Sequence, residues 1–257
     1  MLEVATDASG VARVTLARPE KRNAFDDAVV AALAQAFLTF ASNPPRVVVL
    51  AGAGPVFCAG ADADWMRRAA SWPPDVNEAD ARRLADMLAA VDSCPCPVVA
   101  VVHGAAVGGG AGLVACADLA VAHPDTRFAF SEVRLGLTPA TISPFVIRAI
   151  GARAARRWFL TGERFDAAEA LRLGLIHAVA DPPEGMARAW IEALLEGAPG
   201  AVAEAKRLVA DVAGRVPDAA LRAETARRIA ARRATAEARE GLSALLERRR
   251  PSWSPRA

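Results

Sequence analysis

The chain contains no tyrosine, and its only lysines are Lys21 and Lys206. Without a phenol, any mechanism that needs a tyrosine acid is excluded. Lysine and arginine together number 31 against 29 acidic residues, a net charge of +2. That balance, with no lysine-rich segment, argues against a nucleic-acid or membrane-surface partner. Scarce lysine beside abundant arginine and alanine reads as coding bias rather than function. Long hydrophobic runs are missing too: no stretch reaches the roughly 18 apolar residues of a membrane span. The opening "MLEVATDASGVARV" lacks the basic start and apolar core of a signal peptide. The cysteines are Cys58, Cys94, Cys96 and Cys116. "CPCP" at 94–97 has no second Cys/His pair at ligand spacing, so no metal site is expected. The thiols read as free, in a reducing cytoplasm.

What is present is apolar and patterned. A 53% hydrophobic content over 257 residues allows a large core in one or two domains. "VARVTLAR" (11–18) and "RVVVLAG" (46–52) have strand character, with an amphipathic helix expected over 26–41 between them. "PVVAVVHG" (97–104) is an apolar run of the kind found in a strand covered on both faces. "LAVA" (119–122) and "RFAF" (127–130) are further short strands. "SWPPDVN" (71–77) has loop chemistry, and a helix is expected over 78–92. Beyond about residue 140 the apolar spacing is helical, through 141–150, 153–160, 166–173, 184–196, 199–213 and 217–235. Strands first and helices last predict an α/β core followed by a helical segment.

Five glycines (Gly104, Gly108, Gly109, Gly110 and Gly112) crowd the apolar stretch "VVHGAAVGGGAGLVACADLAVA". Glycine is costly inside packed elements, so bare backbone must approach something closely there. A phosphate-binding P-loop needs Gly-Lys-Ser/Thr, and no lysine is present. A dinucleotide fingerprint needs a third glycine where Leu113 stands. What remains is strand, glycine turn and helix, whose first amides point outward unsatisfied. The stretch "VVVLAGAGPVFCAGADADWM" (47–66) also ends a strand in a Gly/Ala-rich loop before a helix. Two such loops can offer converging amides to one oxygen atom, the geometry of an oxyanion hole.

The pairing of "FCAGADADWM" with "HGAAVGGGAGLVACADLAVA" resembles the enoyl-CoA hydratase/isomerase (crotonase) family. "LARPEKRNAF" (16–25), "FLTGERFDAAEALRLGLIHAV" (159–179) and "EGLSALLERRRPSW" (240–253) extend the resemblance over nearly the whole chain. The resemblance implies an α/β crotonase-like spiral of ββα units over residues 1–195. A C-terminal helical trimerisation region would follow over 196–257, giving a homotrimer or a dimer of trimers. It implies an acyl-CoA thioester as ligand, with no cofactor apart from the CoA of the substrate. By position, the amides of Ala61 and Gly109 match the pair that holds the thioester oxygen. Arg18, Lys21, Arg22 and Ala24 would flank the CoA on one side. Ala59, Gly60, Asp62, Ala63 and Trp65 would flank it on the other, with Gly108 and Gly112 beside the acyl group.

A carboxylate must handle the proton or the water. Hydratases of the family usually carry two glutamates, and the first is replaced here by Gly112. The second is matched by Glu132, in "FAFSEVRLGLTPATISPF". One glutamate leaves both hydration and double-bond isomerisation open, and a non-catalytic acyl-CoA-binding protein as a third reading. The sequence looks most like hydratases of branched, carboxylated enoyl-CoAs, such as the methylglutaconyl-CoA and isohexenylglutaconyl-CoA hydratases. A carboxylated acyl group calls for a cation, with Arg67, Arg68 and Arg134 as candidates. Trp65 and Trp72 are candidates for an acyl wall or for the core. Asp62, Asp64, Asp75 and Glu78 read as capping or solvated residues, and His103 as a packed, hydrogen-bonded one.

Overall fold

A computed structural model describes residues 1–254. Strand β1 (Leu2–Thr6) turns into β2 (Val11–Leu16) through an aspartate turn, where Asp7 Oδ1 accepts from the amides of Ser9 and Val11. Three longer connections then bring β3 (Val47–Gly52), β4 (Val98–Val102) and β6 (Leu119–Ala122) alongside in parallel. With β9 (Ala178–Val179) these form a six-stranded sheet, ordered β1-β2-β3-β4-β6-β9. A second layer holds β5 (Ala105–Val107), β7 (Arg127–Ala129) and β8 (Arg164–Asp166).

The two layers are wound by one repeated move. After β3 the chain crosses to the small layer at Cys58, which bridges Ala106, and then enters helices α2 (Ala63–Ala69) and α3 (Pro74–Asp92). After β4 it crosses to β5 and enters α4 (Gly109–Cys116). After β6 it crosses to β7 and reaches α5 (Ser143–Thr161). This is the expected spiral of ββα units. The crossing after β4 bends at Gly104 (φ +62°), where a Cβ would lie 2.1 Å from the Pro55 carbonyl oxygen. Only glycine allows the 55–58 loop to pass that closely, and its backbone then pairs with β5 through Cys58 and Val107.

Alternate residues of the large sheet serve two cores, as a period of two requires. Val14, Leu16, Val48, Leu50, Val98 and Ala100 face α1 (Asp27–Ser42), α3 and α4, while Val47, Val49, Val99, Val101 and Val121 face α7 (Pro183–Glu196). The 97–104 run is thus covered on both sides, as its composition predicts. Helix α4 is so central that Gly110 through Cys116 are all buried. All four cysteines are buried free thiols.

The helical tail consists of α6 (Ala167–Leu173), α7, α8 (Pro199–Val212), α9 (Ala219–Arg233) and α10 (Ala236–Leu246). It is pinned to the sheet layers. Arg46 donates to the carbonyls of Leu195, Gly197 and Trp253, and Lys206 pairs with Asp118 at 2.6 Å.

Several elements differ from the sequence expectation. Residues 74–77 form the first turn of α3 rather than a loop, because Pro74 at N1 needs no amide partner. The helices expected at 141–150 and 153–160 run end to end across a break at Gly151 (φ +77°). Strands β8 and β9 interrupt the region read as helical, and β1 is an exposed edge strand with almost no apolar periodicity.

Candidate active site

The glycine cluster lies where the second layer meets α4. Gly108 (φ +51°, ψ −119°) caps the helix in a conformation open only to glycine. A Cβ there would also come 3.0 Å from Glu132 Oε1. On Gly109 it would lie 2.9 Å from the Phe25 ring, and on Gly110 2.7 Å from the Cys58 carbonyl oxygen. The glycines therefore let α4 press against three neighbours at once. Gly109 is the first residue of α4, so its amide has no carbonyl one turn back to bond.

The second loop is zipped to the first segment of the chain. Ala59 N donates to Arg22 O, Phe25 N to Gly60 O, and Asp62 N to Phe25 O. The Ala61 amide takes no part in these bonds. Gly60 (φ +94°) sits so close to Val107 that a Cβ would be 2.9 Å from its carbonyl oxygen. This contact brings Ala61 and Gly109 to the rim of one cavity of about 400 Å³. Trp65, Met66, Leu84, Leu135, Leu137 and Ile142 supply apolar wall.

Glu132 begins a short 3-10 turn, Glu132–Leu135, and borders the same cavity. Its Oε1 lies over Gly108, and its Oε2 is buried with no hydrogen-bond partner in the fold. Burial raises its pKa above the ordinary carboxylate value. A half-desolvated carboxylate with one oxygen unpartnered is poised to take or give a proton.

Of the residues singled out from sequence, Ala59, Gly60, Ala61, Trp65, Gly108, Gly109 and Glu132 border this cavity. The structure places the others elsewhere. Gly112 is shut off: a Cβ there would meet Ile142 Cγ2 at 2.4 Å, so isoleucine fills the space a side chain at 112 would need. Asp62 is the N-cap of α2, accepting from the amides of Asp64 and Trp65, with Arg18 at 3.5 Å. Ala63 follows as the first residue of α2. Arg18 is held by Asp26 at 2.7 Å and by the carbonyl of Ala24, itself buried in the loop. Lys21 pairs with Asp64 at 3.1 Å. Arg22 borders an adjoining cavity of about 320 Å³, together with Ala59, Val107, Arg127 and Arg164.

The candidate acyl-group cations are also engaged elsewhere. Arg67 pairs with Asp64 and Arg68 with Asp27, both well exposed, and Arg134 lies along Gly162. Trp72 packs on the core, and His103 Nε2 hydrogen-bonds the Gly54 carbonyl. Sequence reasoning missed Asp80, a buried carboxylate on the cavity wall. Its signal was available, because it occupies the stripe that Leu84, Leu88 and Val91 continue at helical spacing.

Residues 6–256 match the family model described as enoyl-CoA hydratase/isomerase. The chain belongs to that family. Among solved crotonase structures, an enoyl-CoA hydratase from Shewanella pealeana superposes with a TM-score of 0.95 at 42% identity, over 98% of this chain and 95% of the other. An enoyl-CoA hydratase from Mycobacterium smegmatis gives 0.91 at 36% identity, over 99% of both chains. A Thermus thermophilus relative is 34% identical over 251 residues, 95% of this chain and 97% of its own length. The ββα spiral seen here is therefore the crotonase fold.

Proposed function

We propose that this crotonase adds water to a 2-enoyl-CoA, with the thioester oxygen between the amides of Ala61 and Gly109 and Glu132 as the proton-handling group. The observation that carries this reading is the Glu132 carboxylate, unpartnered at Oε2, on a cavity that both amides border. Attack on an enoyl thioester passes through an enolate, and two preorganised amides stabilise that charge. Loss of one such donor costs about 3–4 kcal/mol in other enzymes. Only the backbone acts at these two positions, which is why alanine and glycine suffice.

CoA, part of the substrate and the only cofactor needed, would run between the zipped loops 18–24 and 59–63. The apolar wall suits a branched acyl chain. The arginines a carboxylated chain would want are held by Asp64 and Asp27 or lie along Gly162, so we favour a branched, uncharged acyl group. Residues 196–257 would form the assembly region of a homotrimer or dimer of trimers in the cytoplasm. Val209, Ile229, Leu242, Leu245 and Leu246, each more than half exposed on that region, support a contact surface there.

A second reading, double-bond isomerisation by a single base, is favoured by Ile142 filling the space beside Gly112. A paired assay of the enzyme and its Glu132→Gln variant decides between them. Crotonyl-CoA, 3-methylglutaconyl-CoA, a β-methyl enoyl-CoA and a 3-enoyl-CoA are followed for both water addition and double-bond migration. Glu132-dependent water addition supports the hydratase, and Glu132-dependent migration alone makes it an isomerase. Tight acyl-CoA binding without turnover overturns both.

A further inference from the structure

The cavity is bordered by two carboxylates, and the reading above uses one of them. Asp80 lies on α3, 5% exposed, and with Glu132 it supplies the acidic groups among the cavity-lining residues. A buried aspartate is costly unless something holds its charge. Arg83 does so in part, its Nη2 donating to Asp80 Oδ1 at 2.8 Å from the solvent side. Nearby, Trp65 Nε1 is buried on the same cavity and, like Glu132 Oε2, has no partner in the fold. The site thus presents a free donor, a free acceptor and a clamped carboxylate around one space, an arrangement that suits an ordered water.

The helix explains why the second carboxylate stands here. Leu88 of α3 packs beside Gly112, with its Cδ2 3.8 Å from where a Cβ on 112 would be. Asp80 is eight residues earlier on the same stripe, about 12 Å along the axis at 1.5 Å per residue. It therefore reaches the cavity beyond the plug that Ile142 places against Gly112.

We infer that Asp80 is the second carboxylate of this site, accepting a hydrogen bond from the water that adds to the double bond while Glu132 moves the proton. The inference rests on the hydratase reading. In the forward step the water oxygen bonds to the β-carbon and the π pair moves toward the thioester oxygen. One water proton passes to Glu132, which then returns it to the α-carbon as the thioester carbonyl re-forms. Asp80 holds the remaining O–H throughout and ends as it began. The balance is H and OH added across one double bond, with nothing oxidised or reduced.

The test uses Asp80→Asn and Arg83→Ala beside the unaltered protein. Each is assayed for hydration of crotonyl-CoA and a β-methyl enoyl-CoA, for thermal melting, and for deuterium exchange at the α-carbon of a saturated acyl-CoA. That exchange needs the amides and Glu132 but no attacking water. Asp80→Asn is expected to lower kcat for hydration about 100-fold, the scale of a misplaced reactant, while KM, exchange and melting stay near their original values. Arg83→Ala, which keeps the carboxylate but loosens its hold, is expected to lower hydration clearly less than Asp80→Asn does. Hydration unchanged in Asp80→Asn overturns the inference, as does an equal loss of hydration and exchange, or an Arg83→Ala as impaired as Asp80→Asn. If Asp80→Asn fails to fold while Arg83→Ala folds, Asp80 is structural and the inference falls. Absence of hydration in the unaltered protein, with migration present, removes the hydratase reading itself.

Discussion

At Glu132 function and stability pull against each other. Burial raises its pKa, so the folded state favours the protonated carboxyl. The stability this contributes is complete below the ordinary carboxylate pKa and is lost as pH rises through the raised value. Glu132→Gln should therefore melt higher than the unaltered protein near neutral pH, with the gap closing toward pH about 4. Melts across pH check this, and a lower melting point for the variant at neutral pH would contradict it. As a base, Glu132 must be deprotonated, so kcat/KM for hydration should rise with pH through the same raised value. The variant should lose about 10²–10⁴-fold in kcat. Gly112 shows the opposite constraint. Gly112→Glu supplies the glutamate the family pattern lacks here but drives it into Ile142, and should destabilise by about 1–3 kcal/mol. Adding Ile142→Ala should recover part of that loss, a non-additivity that denaturant titrations of the two single variants and the pair would reveal.

At the scale of elements, the site depends on how helices and loops are pinned. The 18–25 and 59–62 loops hold each other through three backbone bonds, and Asn23 Nδ2 ties the first loop to the carbonyls of Ala53 and Val56 at 2.8 Å each. Arg46 is a latch of another kind, between the strand layer and the tail. One guanidinium serves the carbonyls of Leu195, Gly197 and Trp253, at 2.8, 2.9 and 3.1 Å. Arg46→Ala leaves three acceptors without this donor and should cost about 2–3 kcal/mol. The loss should appear first as faster amide exchange around 251–254, with the acyl-CoA site unaffected. Equal exchange across the whole chain would show that the tail is not a separate latch.

For the molecule as a whole, apolar surface is distributed unevenly. Strands β3, β4 and β6 bury their valines, whereas the last three helices display leucine, isoleucine and valine side chains to solvent. Exposed apolar patches of this kind mark contact surfaces. Leu245→Glu should dissociate the assembly that the C-terminal region is proposed to build, read by light scattering on a sizing column. An unaltered mass would place the contact elsewhere.

Fold class, the order of the main elements and part of the cavity rim were legible in the sequence. Strand periodicity, helix spacing and glycine at turns are local properties, written in consecutive residues. The loops that carry Ala61 and Gly109 were legible for the same reason, since each belongs to a strand–loop–helix signature. Contacts across the chain were not. Ile142 blocking Gly112 and Asp80 entering the cavity from α3 each depend on residues far apart in sequence. The short strands β8 and β9 likewise exist because partners from elsewhere complete their hydrogen bonds. Residue types and their spacing determined which loops would pack backbone against backbone around the cavity. Only tertiary packing decided which side chains share that space, because exclusion between atoms is settled by position in three dimensions.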